Sequence, residues 1–353
     1  MEAKGRLLEL DCLRGIAATI VVIFHFTLGQ DFLNGYLSLG AMGVELFFII
    51  SGFVIFLTIE KTRNWKTFLL SRFARLYPAY WACVTLTTFY IIAWSLMVKA
   101  PIKFPGLTDY LVNLTMFQYY FNVKNIDGAY WTLIIELVFY FFILIVFLLK
   151  KLHRIEIIGF FIVLYCLAYA TVLKAFAPYV CNITVILFPT VTYFPLFIAG
   201  IVFYKIKFYK FNTYRLLLVL FCLITQILLF KSTGREGLIT QTEYAITMPV
   251  FFGLFFLYCF NRLGFIVNRV TLFIGKISYS LYLINGYFTL YILMPVLTHS
   301  RYFHLSYGVA ILCIATPVTL ITATLINRFI EIPAMRYLKG KQKTKSHIEE
   351  TRV

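Results

Sequence analysis

Three ionisable residues share one stretch, Leu10 to Phe26, that is otherwise apolar enough to cross a membrane: Asp11, Arg14 and His25. Arg14 and His25 are eleven positions apart, which at about 100° per residue returns to nearly the same helix face. Asp11 lies one turn before Arg14 on that side. The helical rise carries His25 roughly 16 Å past Arg14, to or beyond the middle of a ~30 Å hydrocarbon layer. An imidazole there titrates near neutrality, so it can take a proton from a hydroxyl as general base or accept a transferred group on nitrogen. The competing reading is a histidine bonded to a neighbouring helix and an arginine reaching for headgroups.

Further acids and bases sit where they are costly. Glu45 lies in Gly40 to Phe53, a run that also holds Ser51. It reads equally as an interfacial carboxylate capping a helix start and as a functional group. Glu136 is embedded in the run after Trp131 with Tyr140 one turn on. It can orient or charge-balance an imidazolium, or partner Arg14 or another buried base. Arg72 and Arg75, one turn apart before Pro78, make a fork suited to phosphate or pyrophosphate. Plain positive-inside anchoring, which explains most juxtamembrane arginines, is the stronger competing reading on spacing alone.

Only a membrane bundle positions residues like these. Of 353 residues, 61% are hydrophobic and 13% charged, against about 25% charged in soluble chains. The expected fold is an all-α polytopic helical bundle with ten spans near 13–29, 40–60, 76–98, 129–149, 155–173, 183–204, 214–230, 244–260, 277–297 and 306–327. Twenty-four Lys and Arg then fall on one side and seven on the other, with Arg14 inside the first span. This split puts both termini in the cytoplasm, and the cell's inner, plasma membrane is the expected location. The net charge of +17 is thus mostly orientation signal and attraction to lipid headgroups, with no nucleic-acid partner implied. Seven cysteines without a CxxC pattern read as small hydrophobes, and no metal site is expected. The longer outer segment 99–128 suggests an aromatic interfacial helix over Tyr110 to Phe121. Pro189 and Pro195 fall inside the sixth span as kinks. A single membrane domain over 7–337 is followed by a basic cytoplasmic tail, 338–353.

Several of these stretches, in this order, resemble the acyltransferase 3 family of integral membrane acyltransferases. They are Leu10-Asp11 through Arg14-Gly15 to His25, Gly43 to Phe48 with Ser51-Gly52-Phe53, and Arg72–Arg75–Pro78. Tyr130 to Tyr140, Gly275 to Ile284 and the closing Glu331-Ile332-Pro333 continue the likeness. The resemblance implies transfer of an acyl group, usually acetyl, from cytoplasmic acyl-CoA to an extracytoplasmic acceptor. Such acceptors are hydroxyls of a cell-envelope glycan or lipid-linked glycan, as in lipopolysaccharide O-antigen or exopolysaccharide. It puts His25 at the essential histidine, Glu136 at the acid after the Trp-Thr-Leu signature, and Arg14, Arg72 and Arg75 at the arginine pattern that meets the donor. Acetyl-CoA then acts as co-substrate, with no tightly bound cofactor. Asp11, Glu45, Ser51, Trp131 and Tyr140 support this site. Ser278, Tyr279 and Tyr282 begin the ninth span at the donor entrance. Asn285 stands where many members carry a histidine, which puts a second histidine role in doubt. The alternative from another class is a proton-coupled transporter or flippase of a sugar or lipid-linked substrate using His25 and Glu136.

Overall fold

Long apolar runs, punctuated by Asn, Gly and Pro, give a succession of helices and, among the described residues, no strand. The structure is a computed structural model that describes residues 7–27, 37–62, 64–99, 106–287 and 306–338, with 293, 294 and 297 besides.

Helix α1 is Leu8–Thr27; a 3-10 turn, Ser38–Met42, leads into α2, Gly43–Glu60. Then come α3, Trp65–Met97, and the short α4, Leu107–Asn113. Next are α5, Trp131–Leu148, α6, Ile155–Ala168, and α7, Pro178–Leu187. They are followed by α8, Phe194–Phe208, α9, Thr213–Leu228, and α10, Gln241–Cys259. Helix α11 is Arg269–Ile284. The final helical run holds α12, Thr316–Ile326, between π-helical turns at Ala310–Ala315 and Asn327–Glu331. Seven of these runs are long and apolar enough to cross a membrane, and α7 and α9 are shorter apolar helices.

The expected span 183–204 is not one helix. It breaks between α7 and α8, because Pro189 opens a 3-10 turn and Pro195 occupies the first turn of α8, where a missing N–H does no harm. The arginine pair is inside α3 and not in a loop, because Asn64 accepts the Lys66 N–H at 2.9 Å and starts the helix two turns earlier. Likewise α11 starts at Arg269, capped by Asn268, whose side chain accepts the amides of Val270 and Thr271 at 3.0 Å. Ser278, Tyr279 and Tyr282 are therefore well inside the helix and do not begin it. The tail from 339 onward lies outside the described residues, as do His299, His304 and His347.

Two compact units divide the chain: Met1–Lys61 with Ile134–Lys276, and Thr62–Leu133 with Ile277–Val353. The first is built on α8, which buries thirteen of its fifteen residues. It meets α2 backbone to backbone: a Cβ on Gly52 would sit 2.1 Å from the Phe197 carbonyl oxygen, and one on Gly200 2.1 Å from that of Ile49. Small residues allow such approach where there is no water to drive association. Phe197 then stacks on Phe139 with ring centroids 4.2 Å apart.

In the second unit the segment after α4 is not the expected surface helix. Helix α4 ends at Asn113, and the carbonyls left by its last turn find donors on α3. Tyr80 donates to Asn113 O at 2.7 Å, Trp81 to Leu114 O at 2.8 Å and Tyr77 to Thr115 O at 2.9 Å. Thr85 and Tyr110 share a hydrogen bond at 2.9 Å. Met97 lies about 18 Å beyond Thr85 along the α3 axis, so the segment lies along the middle of α3. The Asn113 side chain locks its return, donating to Asp109 O and Lys124 O and accepting the Ile126 N–H.

Replacing Gly200 by Ala is expected to lower stability by about 1–3 kcal/mol through overpacking. Gly253→Ala in α10, with nothing within 4 Å of the new Cβ, is expected to be neutral or stabilising, since Ala favours helix by about 1 kcal/mol over Gly. Thermal midpoints in detergent check both.

Candidate functional site

In the first unit, Asp11, Arg14 and His25 all lie on α1. Arg14 Nη1 donates to Asp11 Oδ1 at 3.4 Å, a long contact between half-buried side chains. The opening of α11 packs against this pair: a Cβ on Gly275 would fall 2.0 Å from the Asp11 carbonyl oxygen. No side chain other than glycine fits there, so α11 holds the first turns of α1 in place. His25 is half-buried with Nδ1 shielded from solvent, its ring centroid 5.3 Å from that of Phe24.

Three residues singled out by sequence come together on α2 and α5. Glu136 Oε1 accepts from Ser51 Oγ at 2.9 Å and from the Tyr140 hydroxyl. Two hydroxyls on one oxygen fix where the carboxylate points. Glu45 is neither at a surface nor a simple cap. It is fully buried, and its two oxygens accept from Arg235 Nε at 3.1 Å and Nη2 at 3.3 Å. Arg235, which falls between the seventh and eighth expected spans, is buried in this forked pair. No local signal around Arg235 points to that.

The second unit holds the remaining candidates. Arg72 and Arg75 are half-buried on α3. Arg72 donates from Nε to Ser71 Oγ at 3.3 Å. Arg75 is ion-paired with Glu331 and lies over the Tyr279 ring, Cζ to centroid 5.3 Å. Ser278 is buried, and Trp131 is half-buried at the start of α5. The Tyr282 hydroxyl donates to Ala129 O at 3.0 Å and lies 2.8 Å from the Thr132 hydroxyl. Asn285 is fully buried, its amide nitrogen donating to Leu281 O and Tyr282 O at 3.0 and 2.8 Å. Asp127, not singled out by sequence, accepts the Ala129 N–H at 2.9 Å and the Tyr287 N–H at 2.7 Å just before α5. Burial pushes its carboxyl up to about 6, against the pull of those two bonds.

The acyltransferase domain family, acyltransferase 3, matches residues 7–328. The chain belongs to the acyltransferase 3 family. Among curated proteins, this member is 30% identical over 161 residues to one named as a membrane-bound transacylase, BcsY, of Komagataeibacter xylinus, covering 43% of this chain and 40% of that protein. It is 27% identical over 165 residues to nodulation protein 10 of Rhizobium leguminosarum bv. viciae, covering 39% and 43%. It is 38% identical over 94 residues to protein 2 in the picA locus of Rhizobium radiobacter, covering 25% and 47%. The chain thus spans less than half the length of each of these relatives. No solved structure matches it. Family and helices together make this acyltransferase 3 chain a multi-pass membrane protein.

Two measurements probe the buried acids of this family member. Glu45→Ala strands the Arg235 charge in the protein and is expected to cost about 3–5 kcal/mol, whereas removing both charges in E45L/R235M is expected to be near neutral. Thermal midpoints of the three proteins decide it. For Asp127 the folded carboxyl is raised, so the folded state holds its proton more tightly than the unfolded chain. The resulting stability is complete below an unfolded value of about 4 and is lost as pH rises through about 6. D127N is expected to flatten that fall in stability between pH 4.5 and 6.5, read by thermal unfolding in detergent.

Proposed function

We propose that this family member is an O-acyltransferase of the inner membrane. It moves an acetyl group from cytoplasmic acyl-CoA to a hydroxyl of an extracytoplasmic cell-envelope glycan, with ten spans and both termini in the cytoplasm. The observation that carries the reading is the family match over residues 7–328, and the assignment of the arginines, His25 and Glu136 rests on their resemblance to the family's motifs. The name of the transacylase relative supports the reaction class.

Acyl-CoA is a polyanion, and Arg14, Arg72 and Arg75 are the cations assigned to its phosphates. The pantetheine arm is long enough to carry the thioester into a bundle. His25 then acts as base: the acceptor hydroxyl oxygen bonds to the thioester carbonyl carbon as its proton passes to the imidazole. The carbon–sulfur bond breaks, and the proton leaves with the thiolate as free coenzyme A. Glu136, oriented by Ser51 and Tyr140, balances the imidazolium that forms.

Purified protein given labelled acetyl-CoA and envelope glycan is expected to add a 42-dalton acetyl increment to the glycan, read by mass spectrometry. His25→Ala is expected to lower that rate by about 10²–10⁴-fold, the usual worth of a general base, with coenzyme A binding kept. Substrate flux across vesicles without acyl consumption would overturn the proposal in favour of a transporter.

A further inference from the structure

The final helical run, Ala310 to Leu338, is apolar enough to cross a membrane and carries one acid, Glu331. A carboxylate there is expensive unless protein donors satisfy it. Glu331 is fully buried, and three donors reach it. Arg75 pairs with Oε1, while Ser280 Oγ and Asn327 Nδ2 donate to Oε2 at 2.7 and 2.9 Å. The π-helical turn Asn327–Glu331 holds both Asn327 and Glu331, and such turns re-aim side chains within an otherwise regular helix.

The guanidinium of Arg75 is gripped on a second side. Tyr279 lies under it at 5.3 Å, and the Tyr279 hydroxyl donates to the carbonyl of Leu76, the next residue along α3, at 2.9 Å. Ser280 and Asn327 hold the Glu331 carboxylate independently of Arg75, so it is a fixed post and not a mobile counter-ion. Arg75 nevertheless keeps 28% of its side chain exposed. A cation fixed at one edge and one face while still reachable is preorganised for an anion.

We infer that Glu331 is a positioning residue that sets the Arg75 guanidinium for the phosphates of the acyl donor. This rests on the proposed assignment of Arg75 to acyl-CoA. The chemistry requires a carboxylate in particular. Arg75, Ser280 and Asn327 all donate, and two carboxylate oxygens accept all three, whereas one end of a carboxamide is itself a donor. Glu331→Gln therefore turns one accepting contact into an opposed pair of N–H groups and loosens Arg75.

The test uses the full chain in detergent, with unacylated coenzyme A as probe in a binding titration and acetyl-CoA and glycan in initial-rate assays. E331Q is expected to weaken coenzyme A binding about tenfold, the worth of one charge-assisted contact, and to raise the acetyl-CoA KM while leaving the glycan KM unchanged. E331D, which keeps both oxygens on a shorter arm, is expected to lie between. R75A/E331Q is expected to bind no more weakly than R75A, since Glu331 acts through Arg75. Additive losses in the double variant overturn the inference. So does an E331Q protein that melts earlier but binds coenzyme A as the parent does. A parent that binds coenzyme A yet acylates no glycan sinks the proposed acceptor alone, and the inference is then decided on the binding data; a parent that binds no coenzyme A sinks both.

Discussion

A carboxylate inside an apolar helix must find donors within the protein, because neither lipid nor a neighbouring leucine supplies any. Three acids within apolar helices of this chain meet that requirement, each with a different answer, and Glu60, half-buried at the end of α2, gathers donors as well. Glu45 takes a forked guanidinium from Arg235. Glu60 gathers Lys205 and the hydroxyls of Tyr204 and Tyr209. Glu136 takes two hydroxyls, and Glu331 takes Arg75, Ser280 and Asn327. Each set draws on residues distant in sequence. The acids thereby fix which helices meet within their units, a specificity that apolar packing alone would leave loose.

The same demand explains the irregular segment that follows α4. Backbone leaving a helix exposes carbonyls, and within a membrane protein these are tolerated where protein donors cover them. Tyr77, Tyr80 and Trp81 form a row of such donors along α3, and Asn113 closes the turn from the inside. An aromatic-rich stretch that reads as an interfacial helix is thereby drawn back along its neighbour. The aromatic composition of 110–121 was visible in the sequence. The match between three side chains on one helix and three consecutive carbonyls at and just past the end of another was not, because nothing local encodes it.

The residues placed at depth by periodicity were legible for a physical reason: charge in an apolar run is rare and stands out. That argument finds Glu45, Glu136 and the α1 residues but neither Glu60 nor the burial of Glu331, and the order of motifs points to the family. It does not find Arg235, which sits in a short polar loop like any surface arginine and is buried by the fold alone. It also misreads starts of helices. Hydropathy marks where a helix becomes apolar, whereas Asn64 and Asn268 mark where the backbone begins to coil. Arg72, Arg75 and Tyr279 consequently look like loop or entrance residues in the sequence and are helix-borne in the fold. Lys205, which falls between the sixth and seventh expected spans, is bound to Glu60. Proline gave the opposite error, read as a kink at Pro189 and Pro195 where the chain ends one helix and starts another.

The partners of the four acids also separate their parts in the proposed reaction. Glu45, Glu60 and Glu331 each face a cation. Glu136 is held by Ser51 and Tyr140, and neither hydroxyl neutralises it. A carboxylate oriented by neutral donors keeps its charge while losing its freedom, which is the condition for answering a cation that forms only in passing. An imidazolium on His25 is such a cation, lasting from deprotonation of the acceptor to release of the thiol. Glu136, half-buried and held by two hydroxyls, is therefore the acid that the proposed reaction assigns to the imidazolium.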